Sequence, residues 1–221
     1  MILESTTKDI LKNFSAINNQ MLITPGKVIR SMSISEDLLA YANIKDEFTE
    51  TCGVHDLSRL LGVLSIFTEP NVDFKPNVIE VSTDRQRINL TAAHPSMLKG
   101  SLDYEVELEG SVEFTLAALD LGKVVKATSM LSHSEVILRG RDGTLTFEGT
   151  NLKDPTSDTF SLDVGKTDKT FEVFVPRDRF IFMNRDYQVT VSNDVGLKLA
   201  SPDVTYYICY IADAQNDFGD L

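Results

Sequence analysis

Residues 8–18 read KDILKNFSAIN, and the reading of that stretch decides the fold. Ile10, Phe14 and Ile17 recur at spacings of four and three, the period of an α-helix, with Leu11 at the edge of the same stripe. Lys8, Lys12 and Ser15 fall on the opposite face at i, i+4 and i+7. The pattern predicts a helix from Thr6 to Ile17, capped by Thr6 or Thr7 and ended at Asn18-Asn19. Its polar face is basic, yet the 221-residue chain has 33 Asp and Glu against 21 Lys and Arg, a formal net charge of −12. Why so acidic a chain keeps a basic helix face is the functional question.

Outward from this helix the chain reads as strands. Gln20–Thr24 and Lys27–Ile34 flank a turn at Pro25-Gly26, and Leu38–Ile44 and Glu47–Val54 continue the meander. A second helix is expected from Asp56, a good N-cap, to about Phe67, with Leu57, Leu60, Leu61 and Leu64 inward and Arg59 outward. Three strands follow, Val72–Phe74, Val78–Ser82 and Arg87–Ala92. Then HPSMLKGSLDYEVELEG, residues 94–110, loses its periodicity and reads as a connector.

The same order then recurs. A strand at Ser111–Ala117 leads to a helix capped by Asp120 and running through Leu131, with Lys123 and Lys126 outward. A hairpin turns at Asp142-Gly143, followed by strands at Thr159–Val164 and Thr170–Val175. Pro176 suits the first turn of a fourth helix to about Met183, carrying Arg177 and Arg179. Strands at Tyr187–Ser192, Leu197–Ala200 and Val204–Ala212 close the chain. The expected fold class is α+β: two copies of one module, each an antiparallel sheet with two helices on one face. The expected domains are 1–94 and 111–221, joined by 95–110.

Composition narrows the function. Hydrophobic content of 42% and charged content of 24% describe an ordinary globular protein. No run approaches the ~18 apolar residues that span a bilayer, and MILESTTKD lacks a basic leader, so a cytoplasmic protein without a membrane partner is expected. Cys52 and Cys209 lie in apolar, strand-like contexts and read as free buried thiols. His55, His94 and His133 read as turn or loop residues without metal-ligand spacing, so no metal and no cofactor is expected. No phosphate-binding glycine loop, zinc-protease motif or nucleophile elbow occurs, so no catalytic residue is named and no enzyme is expected.

What remains is the basic set on the four expected helices: Lys8, Lys12, Arg59, Lys123, Lys126, Arg177 and Arg179. No base-reading motif accompanies it, so contacts would be to phosphates and blind to sequence. A basic surface on an otherwise acidic molecule attracts a polyanion to one side and repels it elsewhere.

Three stretches resemble a known family, the sliding clamps of DNA replication, and within it the trimeric clamp of T-even-like bacteriophages. They are ILKNFSAIN at 10–18, YANIKD at 41–46 and HDLSRLLGVLSI at 55–66. The resemblance implies a closed ring of repeated modules, sheets outside and helices inside, encircling duplex DNA. It implies a homotrimer, tethering of the replicative polymerase and loading by an ATP-driven clamp loader, and it allows a tie to the transcription machinery. The match brings in Lys12 and Arg59 as pore residues; the other bases rest on helical periodicity. It also implies a groove for partner peptides near the connector and the last strand, where Met97, Leu98, Tyr104, Ile211 and Ala212 are the candidates. The acidic tail DAQNDFGDL reads as mobile, with Phe218 and Leu221 able to enter that groove. The competing reading is a β-rich viral structural or interaction protein with no DNA role, in which the lysines are ordinary surface groups.

Overall fold

The computed structural model describes residues 1–100, 106–154, 156–214 and 216–219. The chain divides into two compact units, Met1–Tyr104 and Glu105–Leu221. The division falls inside the stretch read as a connector.

In the first unit, helix α1 (Ser5–Ile17) precedes β1 (Met21–Ile23), β2 (Gly26–Met32), β3 (Leu38–Phe48) and β4 (Cys52–Val54). Helix α2 (Leu57–Leu64) and β5 (Asn71–Phe74), β6 (Val78–Ser82) and β7 (Arg87–Thr91) complete it. The expected stripe is the buried one: Ile10, Leu11, Phe14 and Ile17 pack α1 onto β2 and β3 and against α2. Burying such side chains stabilises by about 1.5–3 kcal/mol each. The cap differs from expectation. The helix begins one residue before Thr6, Glu4 is its N-cap without a side-chain bond, and Thr7 is buried within the packed face.

The second unit holds β8 (Gly110–Leu116), α3 (Ala118–Met130), β9 (Glu135–Arg141), β10 (Thr144–Thr150), β11 (Phe160–Lys166) and β12 (Phe171–Pro176). Then come β13 (Tyr187–Ser192), β14 (Gly196–Ala200) and β15 (Val204–Cys209). The fourth expected α-helix is absent. Between β12 and β13 the chain makes a single 3-10 turn, Arg177–Arg179. The reason is aromatic packing. Buried Phe180 meets Phe147 and Phe182 edge-on, and Phe182 meets Tyr206 at 5.0 Å, which draws the chain out of a helical path. The Tyr187 hydroxyl then donates to the Met183 carbonyl at 2.8 Å.

Strand pairing shows a repeat that residue identity hides. β1 pairs with β4 as β9 pairs with β12, and β2 pairs with β3 as β10 pairs with β11, all antiparallel. β5-β6-β7 form a meander, as do β13-β14-β15. Among the described residues each unit therefore holds a helix, four strands, a helix or helical turn, and three strands, with β8 preceding the helix in the second unit.

The titratable core residues are structural. Burial, with the charge of Glu50 second, pushes the Cys52 thiol up to about 11, so it stays protonated. Neither Cys52 nor Cys209 forms a disulfide among the described residues. His133 is buried between α3 and β9 with its Nε2 2.6 Å from the Asp158 carbonyl. No group of three or more His, Cys, Asp or Glu among the described residues could hold a metal ion, and no helix there is long and apolar enough to cross a membrane.

Candidate nucleic-acid interface

In the first unit, α1 and α2 are joined where one ends and the other begins. The Asn19 carbonyl accepts from Leu57 N at 2.8 Å, and its side-chain oxygen accepts from Ser58 N at 2.8 Å. Asn19 Nδ2 donates to Asp56 Oδ1 at 3.0 Å, while that same oxygen caps Arg59 N at 2.8 Å. These bonds, the Arg59 amide first and the Asn19 amide second, hold the Asp56 carboxyl below the ordinary aspartate range. Because the folded value is lowered, the cap's contribution is present at neutral pH and lost only as pH falls through that lowered value. Asn18 does the same for the chain beyond β7. Its Nδ2 donates to the Met32 and Lys99 carbonyls at 2.9 and 2.8 Å, which ties residue 99 to the end of α1.

On this framework Lys12 and Arg59 are exposed and Lys8 is half-buried, each on the side of its helix away from the apolar stripe. In the second unit α3 packs on β10 and β11 through Leu121, Val124 and Thr128, leaving Lys123 and Lys126 exposed. Lys123 Nζ is held by Asp120 Oδ1 at 2.8 Å, so part of its charge is answered locally. Lys8, Lys12, Arg59 and Lys126 make no ion pair among the described residues. The three α-helices among the described residues carry five bases against two acids, a formal +3, so the rest of the chain, at −12 overall, carries −15.

Arg177 and Arg179 sit on the 3-10 turn rather than on an α-helix, both half-buried, and Arg179 pairs with Asp178 at 3.0 Å. They present no free cationic face comparable to that of α1 or α3.

Asp120 was read as the cap of α3; it occupies the first turn instead, and the methyl group of Ala117 at the N-cap makes no capping hydrogen bond. Asp186 supplies the cap, its Oδ1 accepting from Ala118 N at 2.7 Å across 68 residues of sequence. Asp186→Ala is therefore expected to lower stability by about 1 kcal/mol, read by urea denaturation, with no loss of any exposed base. The sequence offered Asn19 only as part of a helix end and gave no sign of Asp186, because the partners of both lie tens of residues away.

The candidate peptide-groove residues among those described fall in both units. Met97 is exposed and lines a cavity of about 450 Å³ with Val54, Arg59, Leu60, Leu90 and His94. Leu98 is buried. Ile211 and Ala212 follow β15 in the second unit, Ile211 half-buried and Ala212 exposed. Tyr104 and Leu221 lie outside the described residues. The tail read as mobile is seated from Asn216 to Gly219 on β12, with the Phe218 ring 5.8 Å from that of Tyr210.

No family model matches the chain. It is 30% identical over 199 residues to the sliding clamp of Vibrio phage KVP40, covering 86% of this chain and 90% of that one. To the sliding clamp of Escherichia phage RB69 it is 26% identical over 232 residues, covering 99% and 100%. Among solved structures it resembles Proliferating Cellular Nuclear Antigen from Entamoeba histolytica, with a TM-score of 0.70, 13% identity and 93% and 94% of the chains covered. It also resembles A. fulgidus PCNA bound to the C-terminal region of FEN-1, with a TM-score of 0.69, 15% identity and 97% and 98% covered. At those identities the solved structures establish the fold, and the phage relatives establish the family. A β-rich structural protein with no DNA role is thereby set aside, and the chain belongs to the sliding clamps, ring-forming processivity factors of DNA polymerase.

Proposed function

We propose that this chain closes head to tail into a homotrimeric ring whose helix-borne bases face duplex DNA in the central hole. Residues 1–94 and 111–221 are its two clamp modules and 95–110 their connector. The observation that carries this reading is the charge division: +3 on three α-helices, −15 on everything else. Lys8, Lys12, Arg59, Lys123 and Lys126 would meet phosphates without reading bases. Arg177 and Arg179 join them as weaker candidates. Contacts of this kind are individually weak and exchangeable, so they permit sliding, while topology rather than affinity retains the DNA. The acidic remainder discourages DNA from binding elsewhere.

Support for head-to-tail closure comes from two sheet edges. β7 ends the three-stranded sheet of the first unit, and β11 ends the β11-β10-β9-β12 sheet of the second. Each alternates exposed with half-buried residues, Ile88 and Leu90 on β7 and Phe160, Leu162 and Val164 on β11. Open edges invite pairing. Different patches, one on each unit, give the heterologous contact that a ring requires.

The ring is non-catalytic and works in the host cytoplasm. An ATP-driven clamp loader places it on DNA, and it tethers the replicative polymerase and other partners, with the transcription machinery as a further client. Partners dock by short peptides near Met97, Leu98, Tyr104, Ile211 and Ala212. Peptide docking is supported by the solved clamps carrying the C-terminal region of FEN-1 and a DNA ligase peptide.

Light scattering tests the assembly. Three chains of 24.6 kDa should give about 74 kDa. A monomer persisting at high concentration would count against the ring.

A further inference from the structure

The free edge of β12 is occupied by the chain's own C-terminal segment. Glu172 and Asp217 exchange both backbone hydrogen bonds at 2.7 Å, an antiparallel bridge. Phe174 N donates to Asn216 Oδ1 at 2.9 Å, and Asn216 Nδ2 donates to the Ile211 carbonyl at 2.9 Å. Ile211 N in turn donates to the Phe174 carbonyl at 2.8 Å. Phe218 is half-buried against the ring of Tyr210, which is itself fixed by a 2.8 Å bond from its hydroxyl to the Ser192 carbonyl. Gly219 has φ +43°, and a Cβ there would stand 1.9 Å from the Thr170 carbonyl. The β12 side of the contact is firm: β12 pairs with β9 over Phe171–Pro176, and the Glu172 side chain is held by Arg139 at 2.5 Å.

This is the pattern of strand addition: main-chain bonds along an open edge give affinity, and one anchoring side chain gives specificity. The segment contributes one exchanged pair of backbone bonds, one Asn latch and one aromatic contact. So small an attachment is held mainly by being on the same chain, where the effective concentration of a short tether is in the millimolar range.

We propose that the β12 edge and Tyr210 form a docking site for an extended, acidic partner peptide anchored by one aromatic residue, and that residues 216–219 hold this site in the free clamp as a competitor in cis. The partner chemistry is read from the occupant: an amide side chain that can latch Ile211 and Phe174, an acidic residue at the bridge, an aromatic ring for Tyr210, then glycine. The inference rests on the proposed peptide docking at Ile211, and adds that the clamp's own tail must leave before a partner enters. A tail seated nine-tenths of the time lowers the apparent affinity of a partner about tenfold.

The test uses a fluorescent synthetic peptide of sequence DAQNDFGDL and two clamps, the full chain and a variant ending at Ala214. Fluorescence anisotropy should show binding to the truncated clamp at least about tenfold tighter than to the full chain. Phe218→Ser in the full chain removes the anchor alone and should raise peptide affinity in the same direction, by a smaller factor. A peptide with its phenylalanine replaced by serine should bind neither clamp. Equal binding to both clamps, or no binding to the truncated one, overturns the proposal. Native mass and loader-dependent synthesis of the truncated clamp are measured alongside. If both are retained while the peptide fails to bind, the tail inference falls and the ring reading stands; if the mass is monomeric for both clamps while the peptide discriminates between them, the ring reading falls and the docking edge stands.

Discussion

Reversing Lys12 and Lys126 together to glutamate should reduce clamp-dependent processive DNA synthesis by at least about tenfold while leaving thermal stability nearly unchanged. The two residues are exposed, lie on different helices and make no ion pair among the described residues, so the fold loses little. Exposed substitutions of this kind stay within about 0.5 kcal/mol. The effect on DNA is larger because each reversal removes an attraction and installs a repulsion, taking the chain from −12 to −16. In the proposed ring of three chains the change would recur at six positions around the duplex. The wild-type clamp should also lose activity as salt rises, since phosphate contacts release counterions. Lys123 is a poorer choice for this test because Asp120 already pairs with it. Primer extension on a long template, with loader and polymerase held fixed, is the measurement. Synthesis that survives the double reversal intact would remove these lysines from the DNA-facing surface.

Phe14→Ala should have the largest effect on stability. Phe14 is completely buried beneath α1, and its backbone carbonyl accepts from Asn18 N at 2.9 Å where the helix ends. Truncating a buried phenylalanine loses its transfer energy and leaves a cavity, at a cost of about 3–5 kcal/mol. Whole-domain stabilities are about 5–15 kcal/mol, so this is a large fraction. The melting temperature should fall on the order of 10 °C. Asp9→Ala, on the exposed side of the same helix, should change it little and serves as the control. Function should follow stability here, not precede it: well below its melting point the variant should still support synthesis, because Phe14 faces the sheet and Lys12 faces away. A Phe14→Ala clamp that melts like wild type would mean that α1 is not packed as described.

Sequence periodicity reached the helices and their faces because it depends on neighbours three and four residues apart. The stripe Ile10, Leu11, Phe14, Ile17 was legible for that reason, as were the bases opposite it and the outward Lys123 and Lys126 of α3. The Asp142-Gly143 turn was legible too, since both residues need positive φ and find it there, at 50° and 80°. The fourth helix was misread because Pro176 and the residues after it satisfy local rules for a helix start. The aromatic cluster of Phe147, Phe180, Phe182 and Tyr206 outweighs that preference, and its members are spread over 60 positions.

The sequence by itself determined the helix faces, the segregation of positive charge onto them and the order of elements, since each is set by local spacing and by counting. Only the tertiary structure decided what completes those elements across long separations. Asp186 caps α3 from 68 residues away, Asn19 and Asp56 join α1 to α2, and Asn216–Gly219 lies along β12. The strand-for-strand repeat of the two units belongs with these, because backbone pairing conserves a pattern of hydrogen bonds that many unrelated side chains can satisfy.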